Sequence, residues 1–357
     1  MADSSATSSR PRVLSGMRPT GKLHLGNYMG ALHNWVRLQE TGKYESFHFV
    51  ADLHALTTDY EDPSNILPNT REAILDYLGA GLDPKRTTIF VQSHVAQHFE
   101  LPLLLGMVTP LGWLERVPSY KEMRENLPDK DLSNFGFLGY PVMMASDILL
   151  YQAAFVPVGQ DQQAHVELTR EVARRFNNLY KLDGKEVLPE PQVLLTASPK
   201  LLGTDGRKMS KSYGNTIMIT DPEPVVRAKL KTMVTDPARI RRTDPGDPDK
   251  CPVGDLHKVF STPATMAKVY EGCRTAGIGC IECKSWAADA LVEILNPIQE
   301  RRAKLTEGEV DDVLRDGAAR AGARAEQTMV QVRAAMQLTR AGNREQGSGI
   351  RDLGKEI

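Results

Sequence analysis

The chain of 357 residues has four cysteines, and none lies before residue 251. So sparse a set, confined to the last third, rules out the disulfide-dense scaffold of a small secreted protein. Long apolar runs are missing as well. The longest, "LPLLLGMV", is broken by Pro102 and Gly106 and falls far short of the roughly 20 residues that span a bilayer as a helix. The opening "MADSSATSSR" lacks the apolar segment of a secretory leader. The expectation is therefore a short disordered tail over 1–11 and a reducing, cytoplasmic setting, where the cysteines are free thiols or metal ligands. Neither sign of charge dominates. With a net charge of −1, any binding of nucleic acid must come from a local patch. Aromatic residues are few, at 6%, and Trp35, Trp113 and Trp286 read as packing residues. What remains, 41% hydrophobic and 25% charged residues, is the composition of a soluble globular protein with a proper core. Its length favours two domains over one.

The first half has a regular rhythm. "RVLSGM", "ESFHFVADL", "TTIFVQS" and "AAFVPVG" read as strands. Between and after them, "NYMGALHNWVRLQE", "TREAILDYLGAGL" and "QQAHVELTREVARRFNNLY" read as helices. This alternation predicts an α/β fold, a Rossmann-like parallel sheet covered on both faces, with ligands at the carboxyl ends of the strands. After about residue 215 the pattern becomes helical, through "PEPVVRAKLKTMV", "VGDLHKVFST", "LVEILNPIQERRAKL" and "VDDVLRDGAARAGARAEQTMVQVRAAMQL". The expected organisation is a tail over 1–11, a catalytic domain over 12–215, an α-helical C-terminal domain over 216–335 and a second tail over 336–357.

Two stretches carry chemistry. In "SGMRPTGKLHLGNYMG" a strand runs through Gly21 to His24-Leu25-Gly26-Asn27 and into a helix. Small residues at Gly21 and Gly26 would let a ligand approach the backbone. A helix starting near Gly26 would offer unpaired N–H groups to a phosphate, with His24 as a further donor. A tight turn with a surface histidine would look the same. In "TDGRKMSKSYGN", Lys208 and Lys211 flank Ser210 in a loop bracketed by Gly203, Gly206 and Gly214. Two ammonium groups on such a loop suit closure over a polyphosphate, each contact being worth roughly 3 kcal/mol in the transition state. A solvated basic loop is the plainer alternative.

In this order, HLGN and KMSKS resemble the HIGH and KMSKS signatures of the class I aminoacyl-tRNA synthetases. Asn27 stands where HIGH has its second histidine, as in the tryptophan and tyrosine branch. From about residue 12 onward the chain is similar to the bacterial tryptophanyl-tRNA synthetases, notably in "SGMRPTGKLHLGNYMGAL", "YPVMMASDILLYQ" and "VPVGQDQQAHVELTR". The resemblance implies a ligase that activates tryptophan with Mg-ATP, releases pyrophosphate and transfers the aminoacyl group to the 3′ end of tRNA(Trp). It implies charge stabilisation by Lys208, Lys211 and Lys121, with His24 holding phosphate. Arg18, Pro19, Thr20, Gly26, Asn27, Leu201, Met209, Ser210 and Ser212 would line the nucleotide site, and Gly159, Gln160 and Asp161 would meet the ribose. No protein carboxylate cage is evident, so magnesium would arrive held by ATP. Family members are homodimers that bind one tRNA across both subunits.

The amino-acid pocket also has a physical argument. Tyr140, Met144 and Asp147 are spaced i, i+4, i+7 on one face of a helix that is otherwise apolar there. A carboxylate in such a place needs a donor, and an indole N–H is a donor with no acceptor capacity. A neighbouring side chain or a tyrosine hydroxyl would also serve. In the family this aspartate binds the indole nitrogen, and Gln162 resembles its contact to the substrate amino group. His54 lies near the pocket or is structural. His94 and His98 lack the glutamate of a zinc motif and read as helix-surface residues.

Cys251, Cys273, Cys280 and Cys283 follow the pattern C-x21-C-x6-C-x2-C. Four thiolates hold zinc or a [4Fe–4S] cluster, and spacing does not separate the two. A subset of the family carries a [4Fe–4S] cluster on nearly this pattern, near the anticodon-binding region, so the resemblance implies the cluster, with Zn2+ as the alternative. Arg239, Arg241 and Arg242 would contact tRNA phosphates or form a solvated loop.

Overall fold

The computed structural model describes residues 10–117, 131–159, 163–195 and 201–338. Five strands, β1 Arg12–Met17, β2 Glu45–Val50, β3 Thr87–Val91, β4 Phe155–Val158 and β5 Gln192–Leu195, form one sheet in the order β3-β2-β1-β4-β5. Every pairing is parallel, with β1 against β2 in register from Arg12↔Glu45 to Met17↔Val50. All five positions of β3 and five of the six in β2 are buried, as expected of parallel strands covered on both faces. The order reverses between β1 and β4, which opens a crevice at their carboxyl ends.

Helices α1 Leu25–Asn27 and α2 His33–Thr41 are joined by a wider π turn, Tyr28–Leu32, and end at Gly42 with φ 62°. There follow α3 Asp52–Asp59, α4 Ile66–Ala80, α5 Gln97–Gly106, α6 Leu111–Leu114, α7 Phe135–Leu150 and α8 Gln163–Leu179. Beyond residue 215 come α9 Glu223–Thr232, α10 Pro252–Phe260, α11 Pro263–Arg274, α12 Cys280–Ala303 and α13 Glu307–Ala335. Among the described residues no helix is long and apolar enough to cross a membrane.

The helices after residue 215 share their cores with the sheet. On one face, Leu23, Leu32, Trp35 and Tyr77 pack with Ile217, Leu230, Leu291 and Ile298. On the other, Phe47, Phe90 and Phe176 pack with Ala321, Met329 and Val332 of α13. Gly317 lets α13 lie directly on β3: a Cβ there would stand 1.7 Å from the Ile89 carbonyl oxygen. Trp35 meets its expected role, stacked on His48 at 4.5 Å.

Candidate active site

The two signature stretches meet. Lys211 Nζ donates to the Thr20 carbonyl at 2.5 Å, across the turn in which Gly21 takes φ +90°. Burial lowers the pKa of the Lys211 ammonium, opposed by the charge of Asp76.

His24 has a more specific role than a surface donor. It is the N-cap of α1, and its Nδ1 accepts from the N–H groups of Gly26 at 3.0 Å and Asn27 at 3.3 Å. The Asn27 side chain returns the bond, accepting from the His24 N–H at 3.3 Å, which completes a capping box. Since Nδ1 accepts, the proton of the neutral ring sits on Nε2, which is thereby a donor. Burial first, then the charge of Lys211, lowers the His24 pKa to about 4, so the ring is neutral near pH 7.

This geometry corrects the expectation of unpaired N–H groups at the helix start. The Leu25 N–H goes to Ile217 O at 2.9 Å and the Tyr28 N–H to His24 O at 3.0 Å; Gly26 and Asn27 are occupied by Nδ1. Gly26 is small for His24, not for a ligand: a Cβ there would lie 2.8 Å from the His24 ring.

The KMSKS loop is organised by Asn215. Its Oδ1 accepts from the Ser210 N–H at 2.8 Å, and its Nδ2 donates to Asp205 Oδ1 at 2.7 Å and to Lys208 O at 3.1 Å. Met209 is buried and donates its N–H to the Leu201 carbonyl at 3.3 Å. The Leu201 carbonyl thus ties the loop to the chain before it and keeps a second acceptor position. Ser210 and Ser212 hydroxyls lie 2.9 Å apart, and the Lys208 side chain is exposed. Arg18 turns back into the protein, donating to Thr58 Oγ1 and, at 3.5 Å, to Ala55 O. Burial lowers its pKa, against the nearby charge of Asp59.

A cavity of about 480 Å³ opens at the carboxyl ends of β1 and β4. Tyr140, Met144 and Asp147 line it together, as their spacing on α7 predicts, with Arg18, His54 and Gly159. Asp147 is 1% exposed. Its Oδ1 accepts from Gln92 Nε2 at 2.8 Å and His98 Nδ1 at 2.7 Å, and its Oδ2 from His54 Nε2 at 2.9 Å. Burial pushes the pKa of this carboxyl up, but the hydrogen bonds from His54 and His98 pull it the other way, and the net shift is downward. His98 is thus a buried partner of Asp147, behind the cavity, where helical spacing with the exposed His94 had suggested a surface residue. His54, Gln92 and Tyr151 join it. The available signal was position: Gln92 follows directly on the buried strand β3, and His54 lies in the first turn of α3, just beyond the buried strand β2. Pro19 lines a separate small cavity with Asn69. Lys121, Gln160, Asp161 and Gln162 lie outside the described residues.

The four cysteines converge on one small cavity, Cys251 at the N-cap of α10 and Cys280 at the first position of α12. Burial first, then repulsion from the other three, raises the Cys283 thiol to about 12, and burial also raises Cys273. Among the described residues, however, no group of three or more His, Cys, Asp or Glu side chains is placed to hold a metal ion. Arg239 Nη1 lies 3.9 Å from Cys273 Sγ, and His257 Nε2 lies 3.4 Å from Cys283 Sγ. Arg239 also donates to Ile278 O at 2.7 Å, and Arg242 to the carbonyls of Ala276 and Gly277. These two arginines clamp the loop between the cysteines.

Comparison with known proteins shows the family to which the chain belongs. Residues 6–296 match the family described as tRNA synthetases class I (W and Y). The chain is 52% identical over 330 residues to a tryptophan–tRNA ligase of Thermotoga maritima, covering 92% of this chain and 99% of that protein. It is 48% identical over 400 residues to that of Ralstonia nicotianae, covering 92% and 98%. A crystal structure of tryptophanyl-tRNA synthetase from Campylobacter jejuni, complexed with ADP and tryptophan, superposes with a TM-score of 0.81 at 32% identity, covering 91% of this chain and 99% of that one. The chain belongs to the class I tRNA synthetases of the tryptophan and tyrosine branch, among the bacterial tryptophan–tRNA ligases, enzymes that join tryptophan to tRNA.

Proposed function

We propose that tryptophan enters the cavity beside α7 with its indole N–H on Asp147, walled by Tyr140 and Met144 and held at its amino group by Gln162. The observation that carries this reading is a buried carboxylate with three donors at its oxygens and an apolar cavity in front of it. ATP lies across the mouth, along Arg18, Pro19, Thr20, Gly26 and Asn27, with Gly159, Gln160 and Asp161 at the ribose. Leu201, Met209, Ser210 and Ser212 shape the loop that covers it. The tryptophan carboxylate attacks the α-phosphorus, the bond to the β-phosphate oxygen breaks, and pyrophosphate leaves with its magnesium. Such chemistry asks mainly for positioning and charge stabilisation. His24 donates from Nε2 to a phosphate oxygen, and Lys208, Lys211 and Lys121 offset the charge that develops on the leaving group. A ribose hydroxyl of tRNA(Trp) then takes the aminoacyl group.

Cys251, Cys273, Cys280 and Cys283 would hold a [4Fe–4S] cluster, or Zn2+ as the alternative. All-thiol ligation suits either centre, and the two helix starts favour thiolates. The centre would order the surface of the helical region, 216–335, that meets the anticodon, and Arg241 is the member of its arginine trio left to face phosphate. Phe99, Leu103, Met107, Leu111 and Phe135, all at least 56% exposed, line an apolar groove of about 900 Å³ between α3, α5, α6 and α7. A second copy of the chain would cover it, in the cytoplasm, giving a homodimer. Pyrophosphate exchange tests the pocket: it should require tryptophan and not tyrosine, and Asp147→Ala should lower kcat/KM for tryptophan at least a hundredfold. Full activity of that variant would refute the assignment. Iron, sulfide and zinc assays on anaerobically purified protein test the cysteines: about four irons with equal sulfide support the cluster, one zinc the alternative, and no metal neither.

A further inference from the structure

Asp147 is held from behind as well as exposed to its ligand. A carboxylate offers about four lone-pair positions. Gln92 and His98 fill both on Oδ1, and His54 fills one on Oδ2. One position is left, on the oxygen shared with His54, a side chain that lines the tryptophan cavity. The chain of contacts continues outward: His98 Nε2 lies 2.9 Å from the Tyr151 hydroxyl. An ionised carboxylate has no proton to give, so His98 Nδ1 is the donor in its bond to Asp147. In the neutral ring Nε2 is then the acceptor, and the Tyr151 O–H donates to it. Gln92, His98 and Tyr151 are buried, at 0%, 1% and 0% exposure, so water does not compete for these positions.

We propose that Gln92 and His98, the latter held in its tautomer by Tyr151, are specificity-determining positioning residues. By saturating Oδ1 they keep Asp147 an acceptor-only group with a single open lone pair, so that the side-chain N–H of tryptophan is selected and not merely its shape. A protonated Asp147 would present an O–H donor, which an indole N–H cannot satisfy. It would then tolerate ligands of indole size that have no N–H. The inference deepens the assignment of Asp147 to the indole nitrogen and rests on it.

The test compares tryptophan with 3-(3-benzothienyl)alanine, in which sulfur replaces the N–H in a ring system of nearly the same shape. Pyrophosphate exchange by the full-length enzyme gives kcat/KM for each. The wild type should prefer tryptophan by about a hundredfold or more, since a site built around an N–H rejects the analogue that lacks it. In His98→Met, and separately in Gln92→Met, that preference should fall at least tenfold, through loss of tryptophan turnover more than of the analogue. His98→Asn, whose amide N–H occupies the place of Nδ1, should restore most of the preference. An equal loss for both substrates in the two Met variants would mean packing alone and would overturn the proposal. If one of them fails to fold, the other decides. Asp147→Leu, which removes the acceptor and keeps the size, separates the two levels. If it leaves the preference intact, the indole assignment itself fails. If it abolishes the preference while both Met variants keep it, only the inference about Gln92 and His98 fails.

Discussion

Gly203→Ala should disable the KMSKS loop without touching a nucleotide or an amino acid. A Cβ at this position would lie 2.3 Å from Asn215 Cγ and Nδ2 and 2.7 Å from the Asn215 carbonyl oxygen. Asn215 is 2% exposed and has no room to step aside, so its side chain must leave. It then releases the Ser210 N–H and the Lys208 carbonyl, the two backbone groups that set the loop carrying both lysines. Two neutral hydrogen bonds are worth about 2 kcal/mol together. If that ordering is needed in the transition state, kcat should fall about thirtyfold at 1.36 kcal/mol per factor of ten. Tryptophan KM should be little changed, because Asp147 and its partners are remote from the loop. Pyrophosphate exchange with saturating and limiting tryptophan separates the two parameters. A second readout is Asp205, whose carboxyl is held down to about 2, chiefly by the Asn215 amide. NMR titration should show it returning toward the ordinary carboxylate range in Gly203→Ala. Wild-type kcat, or a loss confined to tryptophan KM, would refute this account of the loop.

The packing of α13 on β3 gives a paired prediction. Gly317→Ala places a methyl 1.7 Å from a backbone oxygen and should cost about 3 kcal/mol or more; Gly322→Ala, on the same helix with nothing within 4 Å, should stabilise by about 0.5–1 kcal/mol. Urea midpoints that move in the same direction for both would remove α13 from its seat. His48 predicts a pH dependence. Burial against Trp35 lowers its pKa from 6.5 to about 3, so the unfolded chain binds the proton first. Its contribution to stability is complete above pH 6.5 and is lost as pH falls toward 3, at about 1.4 kcal/mol per unit within that window. Between pH 6.5 and pH 5 the wild type should therefore lose about 2 kcal/mol more than His48→Gln, as read from urea unfolding. Parallel losses would show that His48 takes up its proton without unfolding.

β2 and β3 were legible because their burial is nearly continuous, and β1 and β4 because each has a buried apolar pair at its centre or start. β5 was not, because "QVLL" is four residues long and two of them are exposed on the edge of the sheet. The pairing of Tyr140, Met144 and Asp147 was legible because helical spacing alone puts them on one face. His98 was misjudged for the complementary reason. His94 belongs to a 3-10 turn and His98 to α5, so their four-residue spacing does not describe a common face. The capping by His24 was beyond reach, because the partner that completes the accounting, Ile217, is remote in sequence and offers only a backbone carbonyl. Arg239 and Arg242 illustrate the same blindness. Their targets are carbonyl oxygens, and a carbonyl has no letter in the sequence.

Those hidden partners fall in a pattern. Helix α12 begins at Cys280 and ends at Ala303, a strut of roughly 36 Å at 1.5 Å per residue. At its far end Arg301 donates to Gly79 O at 2.7 Å, while Arg302 binds Glu72 Oε2 at 2.6 Å and Asp76 on α4. Asp76 in turn accepts the Leu23 N–H at 2.9 Å, one residue before His24. Burial raises this carboxyl to about 6 although Arg302 and the Leu23 N–H pull the other way. Without Arg302 its ionised form would be a buried charge lacking its main partner, a costly arrangement. From the other side, the segment at Ile217 and Ile219 hydrogen-bonds to Leu25 and Leu23. The turn that carries HLGN is therefore fixed by two pieces of chain that lie beyond residue 215 and carry no signature motif. The motif residues are proposed to meet the phosphates, and their positions are set by chain beyond residue 215: the segment at Ile217 and Ile219 and, through Arg302 and Asp76, helix α12. It follows that residues 12–215 do not contain all the supports of the HLGN turn, and that α12 is one rod that runs from Cys280 to the contacts of Arg301 and Arg302 with α4.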